Sequence, residues 1–348
     1  MIKMPRPIRI ATVQMDVTPA PTADRLARAD RLTTEAAQVG AELVVLPELF
    51  NIGYAYTDDN YRLAELPGGP TATWMKEAAA RLNVHLAGSL LLLDRGEVYN
   101  SLLLVAPDGR VWRYDKNYPW GWERAYFRPA HRVTVAHTDL GAVGMMICWD
   151  ASHRRLWRRY AGRVVLMIIA SCPPDVSNPT FHFPNGDRLT FDDMGPAFAR
   201  LKGSARRVFG DMIDQQAAWL GVPTVNTVGS GRVETPIPNG PGTILAFAAL
   251  APWLVRYLSQ ADRVRMTCGM TPGCKVVDGS GQVVAEVSQE RGEAFAIAEV
   301  GLADQRPRPC GPQPPSPVPR LAYLSSDLLL PALTAPLYRR GVRRVWGR

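Results

Sequence analysis

The chain has 348 residues, 47% of them hydrophobic and 21% charged, which excludes a disordered chain and leaves room for one large core or two smaller ones. Its formal charge of +8 comes nearly all from arginines scattered along the sequence without a lysine-rich block, so nucleic acid is not an expected partner. Five widely spaced cysteines, with no CxxC pair, fit free thiols in a reducing compartment and exclude both a disulfide framework and a zinc ribbon.

The opening run enters a strand at once, which predicts no export leader and a cytoplasmic location. Ile8 to Gln14 reads as a buried strand. Thr22 offers an N-cap for a helix that stops at Gly40, and Glu42 to Leu46 reads as a second strand ending in Pro47-Glu48. A carboxylate at the carboxyl end of a strand in such a unit lies where ligands bind in α/β sheets. Thr71 to Leu82 is helical in pattern, and Val84 to Leu93 and Val98 to Ala106 read as strands joined by a polar turn. Ala142 to Ile147 is an apolar strand delivering Cys148, with a helix expected over 151 to 161. A strand over Val164 to Ala170, a helix over Ala205 to Leu220 and a strand over Val222 to Val228 follow. Alternating strands and helices predict an α/β layered fold. A hairpin around Gly279-Ser-Gly281 and a strand over Ala294 to Val300 close the pattern.

Two segments read as additions: the loop from Cys172 to Leu201, rich in Pro, Asn and Asp, and an apolar insert at about 240–260. The insert's apolar run is broken by Pro252 and Arg256, short of the roughly 20 residues that span a bilayer. We expect it to form an apolar wall or entrance for a substrate with a greasy tail, against the plainer reading of a dimer contact or filled core helix. Residues 305 to 319 are too proline-rich for packed secondary structure. The expected division is therefore a catalytic domain over 1–304 and, over 305–348, a proline-rich arm with a basic, apolar end. That end either lies on an anionic membrane surface or docks on a partner subunit.

A thiol needs a base or a positive field beside it to react near neutral pH. Cys148 ends an apolar strand and precedes Trp149-Asp150, where a helix N-terminus would lower the thiol pKa and offer a backbone N–H to an oxyanion. Cys172, Cys268, Cys274 and Cys310 read as small core residues. Three motifs then coincide in order and at strand ends: Leu46-Pro-Glu-Leu-Phe50, Tyr114-Asp-Lys-Asn-Tyr-Pro-Trp120 and Gly144-Met-Met-Ile-Cys-Trp-Asp150. With Tyr99-Asn-Ser101 and Gly40-Ala-Glu-Leu43 in support, the chain over roughly residues 8 to 300 resembles the nitrilase superfamily of carbon-nitrogen hydrolases. The lysine segment is similar to aliphatic amidases, with one residue fewer before Glu123, and the Cys-Trp-Asp triplet to N-carbamoyl amidases.

The resemblance implies a four-layer α-β-β-α sandwich, assembly into a homodimer or higher homo-oligomer, and no cofactor or metal. It implies Glu48 as general base, Lys116 as oxyanion stabiliser, Cys148 as nucleophile and Glu123 as a second acidic residue. Trp149 supplies an oxyanion N–H, and Tyr54 and Trp120 are expected at a partly aromatic pocket. The implied activity is hydrolysis of a linear amide or N-carbamoyl amine through a cysteine thioester. A nitrilase, a thioester-based N-acyltransferase and a silent scaffold are the alternatives. Where many relatives have an aromatic, proline, glutamate step after the cysteine triplet, this chain has Ala151-Ser-His-Arg-Arg-Leu156. His153 there reads as a solvated loop histidine rather than a substrate contact. An exposed Lys116–Glu123 ion pair is the plain alternative to a catalytic one.

Overall fold

The computed structural model describes residues 6–347. Seventeen strands run in chain order: β1 Arg6–Asp16, β2 Leu43–Val45, β3 His85–Asp94, β4 Glu97–Val105, β5 Val111–Asp115, β6 Val135–Thr138, β7 Gly141–Ile147, β8 Leu166–Ala170, β9 Thr180–His182, β10 Arg188–Leu189, β11 Thr224–Asn226, β12 Gly229–Ser230, β13 Arg232–Pro236, β14 Arg265–Gly269, β15 Cys274–Val277, β16 Val283–Val287 and β17 Ala294–Leu302. The helices used below are α1 Thr22–Gln38, α2 Pro70–Leu82, α3 Arg154–Tyr160, α4 Ile213–Leu220, α5 Gly240–Ala248 and α6 Leu330–Trp346.

The strands form two large sheets. One runs β12-β1-β2-β3-β4-β5 with β17 antiparallel to β1, and the other runs β16-β15-β11-β8-β7-β6. Successive side chains of a strand face opposite sides, and the first sheet uses both. Ile8, Ile10, Leu43 and Val45 point into the core shared with Val143, Met145, Leu166 and Ile168 of the second sheet. Ala11, Val13 and Val44 point the other way, onto Ala29 and Leu32 of α1 and Met75 and Ala79 of α2. On the far side of the second sheet Trp157 of α3 and Ile213 and Leu220 of α4 complete the burial. The result is the expected α-β-β-α sandwich.

Three segments differ from expectation. The loop after Cys172 is not featureless: β9 and β10 join β14 and β13 in a third, four-stranded sheet, order β10-β9-β14-β13. The single helix expected over 205–220 is broken. A wide π turn spans Val208–Met212 with Gly210 at φ −86°, ψ −110°, and α4 follows it; Lys275 Nζ donates to the Gly210 carbonyl at 3.0 Å. A glycine at the break lets the backbone leave helical angles without a side-chain clash. Finally, residues 320–346 are helical and dock on their own chain. Tyr338 lies buried with its hydroxyl accepting from Val98 N at 3.0 Å and donating to Glu97 at 2.5 Å, and Trp346 Nε1 donates to Tyr61 O at 3.0 Å. The apolar face of α6 (Leu330, Tyr338, Val342) is thereby occupied within the molecule. Among the described residues no helix is long and apolar enough to cross a membrane.

Candidate active site

Glu48, Lys116 and Cys148 each follow the carboxyl end of a strand: β2, β5 and β7. Pro47 cannot continue the β-ladder, and the chain turns sharply at Leu49, whose φ of 52° is left-handed. The turn is held from both sheets, by Glu48 N–H to the Ser171 carbonyl at 3.3 Å and Leu49 N–H to Ser89 Oγ at 3.1 Å. Cys148 has the same signature, φ 49°, at the start of a single 3₁₀ turn, Cys148–Ser152. Non-glycine residues in this region are uncommon and cluster at functional sites. Two of the five among the described residues lie here.

Asp150 fixes the cysteine turn to the lysine loop. Buried, it accepts from Tyr114 OH at 2.6 Å, Tyr118 N at 2.8 Å, Asn117 N at 3.2 Å and Ile147 N at 3.2 Å. The lysine itself is placed by Lys116 N–H to the Asn100 carbonyl at 2.9 Å. Its ammonium bridges Glu48 Oε1 at 2.8 Å and Glu123 Oε2 at 2.7 Å, with no exposed surface on the lysine side chain. The plain alternative of an exposed Lys116–Glu123 pair is thus ruled out: both side chains are buried. Asn100 Nδ2 also donates to Glu48 Oε1, at 2.7 Å, and its own oxygen is held by Ser89 Oγ at 2.9 Å. Glu48 Oε2 is buried without a hydrogen-bond partner, an acceptor whose only unsatisfied business is with the thiol or a ligand. Glu123, in the 3₁₀ turn Gly121–Ala125, further accepts from Trp120 N at 2.7 Å and Tyr54 OH at 3.0 Å. Tyr54 OH also meets Tyr56 OH at 2.8 Å.

Two carboxylates around one ammonium leave the cluster one charge short of neutral. Burial pushes Glu123 up, the Lys116 ammonium pulls it down and Glu48 pushes it up again, with the balance at about 7. Burial works against the Lys116 charge, but Glu123 and Glu48 outweigh it and hold the ammonium pKa well above its ordinary value. Burial raises the Cys148 thiol strongly, Glu48 adds to this, and Lys116 offsets it only in part. The expected helix N-terminus does not lower this pKa: five residues of 3₁₀ turn are too short to build a helix dipole. The resting thiol is protonated, and a base beside it is required.

The site opens into a partly solvent-open cavity of about 100 Å³ that Cys148, Glu123, Tyr54, Trp120 and Trp149 reach. Ala246, Phe247 and Leu250 of the apolar insert line it, as expected of an apolar wall, and so do Ser325, Ser326, Leu329 and Leu330 of the C-terminal segment. That segment is latched to the cysteine turn by Asp327, which accepts from Trp149 Nε1 at 2.8 Å and pairs with His153 Nε2 at 3.0 Å. His153 stacks on Tyr118 with ring centroids 3.5 Å apart. It is a half-buried docking point, which corrects the solvated loop histidine. Cys310 is exposed, correcting its assignment to the core, whereas Cys172, Cys268 and Cys274 are buried.

Asn100, Asp150 and Asp327 went unassigned in the sequence. The first two lie in the quoted motifs and could have been found there. Asp327 carries no local signal, being 178 residues from its indole partner.

These motifs are matched by known proteins. The carbon-nitrogen hydrolase family profile matches residues 9–186. A nitrilase of Pyrococcus abyssi is 32% identical over 148 residues, 41% of this chain and 56% of the relative. An omega-amidase of Danio rerio is 30% identical over 172 residues, 46% of this chain and 61% of the relative. The matched stretch therefore spans about three fifths of these relatives. Among solved structures, a glutamate-to-glutamine mutant of the amidase of Nesterenkonia sp. AN1, with acrylamide added to its active-site cysteine by Michael addition, superposes with a TM-score of 0.59 at 18% identity, covering 84% of this chain and 92% of that one. A CN-hydrolase superfamily protein of Xanthomonas campestris gives 0.61 at 18% identity, covering 85% and 91%. At that identity the superpositions speak for the sandwich, and the profile, which takes in the glutamate, lysine and cysteine motifs together, speaks for descent: the chain belongs to the carbon-nitrogen hydrolase family.

Proposed function

We propose that the protein hydrolyses a non-peptide carbon-nitrogen bond of a linear amide-type substrate through a Cys148 thioester. The observation that carries this is the Glu48–Lys116–Glu123 cluster against a buried, protonated thiol, with Glu48 Oε2 unpartnered. Glu48 takes the thiol proton as sulfur adds to the carbonyl carbon, and the Lys116 ammonium with the Trp149 backbone N–H stabilises the oxyanion. Collapse of the tetrahedral adduct breaks the C–N bond, and Glu48 returns the proton to the leaving nitrogen. Glu48 then deprotonates the water that cleaves the thioester, giving the acid and regenerating the thiol. Glu123 holds Lys116 in place and, through Tyr54, borders the cavity. The amidase and nitrilase names of the relatives support the same chemistry, and the Michael addition of acrylamide to the active-site cysteine of a mutant Nesterenkonia amidase supports a cysteine nucleophile.

The test is intact-protein mass spectrometry of wild type and Cys148→Ala with amides, N-carbamoyl amines and nitriles, alongside ammonia release. A thioester mass on wild type alone, with turnover, is the expected result. An adduct resolved only by an added amine would move the assignment to acyl transfer, and no adduct with any substrate would sink it.

We further propose a catalytic unit whose C-terminal segment works as part of the pocket, and a homo-oligomeric assembly. The insert leaves Leu245, Leu250, Trp253, Val255 and Leu258 exposed, a concentration of large apolar side chains in one segment of the kind a partner surface covers. We assign it to a second copy. Sedimentation velocity that finds only monomer would overturn this, and pelleting with anionic vesicles would assign the surface to lipid instead.

A further inference from the structure

The cavity above Cys148 has a chemical character that the charged cluster beneath it does not explain. The chain carries 40 lysines and arginines, yet among the described residues no arginine, lysine or histidine lines this cavity; besides Cys148 and Tyr54, the only titratable side chain among those described there is Glu123. The walls are instead Phe181, Phe191, Phe198, Phe209 and Phe247, with Met266. Several pack on one another: Phe247 meets Phe181 at 5.6 Å and Phe198 at 5.3 Å, and Phe191 meets Phe198 at 5.3 Å. Phe181 and Met266 come from the third sheet, Phe191 and Phe198 from the short helical turns that follow β10, Phe209 from the Val208–Met212 turn and Phe247 from the insert. A pocket that takes an acyl group ending in a carboxylate needs a cation or a set of N–H donors for it, because a buried unpaired charge is costly. Here such a group would meet aromatic rings and, at the base, the like charge of Glu123.

The direction of the substrate follows from burial. Glu48 and Lys116 lie entirely beneath the cavity, with no exposed side-chain surface, so the nitrogen that leaves toward them is small. The bulk of the molecule extends the other way, between the phenylalanines. We infer that the substrate is a primary amide whose acyl group is uncharged and apolar, an alkyl chain of several carbons or an arylalkyl group, and that ω-carboxylated amides are excluded. This rests on the amide-hydrolase assignment above and goes beyond it by naming the acyl class. Aliphatic burial is worth about a factor of four per methylene, so the preference is steep.

The experiment compares kcat/KM for ammonia release from acetamide, butyramide, hexanamide, octanamide and phenylacetamide with that from succinamate and glutaramate. The expected result is a rise of about fourfold per methylene through hexanamide, with the carboxylated amides at least about 100-fold below the apolar amide of equal length. Leu250→Arg, at the partly exposed rim, should cut that ratio by at least about tenfold. A flat series, or glutaramate preferred, overturns the inference while leaving the hydrolase assignment intact. If no amide is turned over, the hydrolase assignment fails, and calorimetric binding to Cys148→Ala decides the pocket separately. Tighter octanamide than glutaramate there supports the apolar pocket, and equal or reversed affinities overturn it.

Discussion

Two carboxylates facing one ammonium make the resting site a place where protons are held in tension. Glu123 titrates at about 7, mainly because it is buried, and Glu48 beside it opposes its ionisation. A carboxyl whose folded pKa lies above the unfolded value contributes stability fully present below about 4.5, and that stability is lost as pH rises through about 7. Glu123→Gln cannot ionise, so the stability of wild type relative to this variant should fall between pH 5 and 8. Urea midpoints across that range measure it, and parallel profiles for the two proteins would show that Glu123 is ionised throughout. Asp150 works differently, as a tie between the cysteine turn and the lysine loop. Asp150→Ala strands the Tyr114 hydroxyl and several backbone N–H groups in the interior, which should cost about 3 kcal/mol or more. A urea midpoint shifted by less than about 1 kcal/mol equivalent would mean that water enters and replaces the carboxylate.

At the scale of elements, two wide helical turns border the cavity, Val208–Met212 and Leu324–Leu329. Both present residues to it, Phe209 from the first and Ser325, Ser326 and Leu329 from the second. A π turn shifts the following side chains around the helix axis, a recurrent device at functional sites. The second turn also carries Asp327, the latch to Trp149 and His153. Asp327→Ala should loosen this wall without touching the Glu48–Lys116–Cys148 chemistry. The expected outcome is a KM raised about tenfold with kcat changed less than about threefold, the pattern of lost uniform binding. An equal fall in kcat and kcat/KM would instead place the latch in the positioning of the Trp149 N–H.

The whole molecule depends on the C-terminal helix being seated. Gly341 of α6 lies against Tyr61, where an added Cβ would come 2.2 Å from the ring carbon Cζ. Tyr61 is itself buried and hydrogen-bonded to the Ala125 carbonyl, at the end of the turn that carries Glu123. Gly341→Ala should therefore destabilise by about 1–3 kcal/mol and lower activity on apolar amides along with stability, as thermal melts and ammonia release would register. An unchanged melting temperature would mean that the helix shifts outward at little cost, and that the pocket wall it carries is not rigid.

The α/β layering and the placement of Glu48, Lys116 and Cys148 at strand ends are legible in the chain because they are local. A short apolar run marks a buried strand such as Ile8 to Gln14, the break at Pro47 and the apolar run into Cys148 mark strand ends, and three short motifs point to the proposed chemistry. Even the greasy character of the insert can be read, since it is a property of consecutive residues. What the tertiary structure alone decided depends on partners distant in sequence. The Cys148 pKa is set by desolvation and by charges 32 and 100 positions away, not by a helix that its local sequence suggested. The role of His153 is set by Asp327. The proline-rich arm leads to a docked wall rather than a loose tail because the apolar face of α6 finds Tyr61 and the Glu123 turn. The lining of the cavity belongs to this second kind: which of the described arginines stay out of it is determined by packing alone.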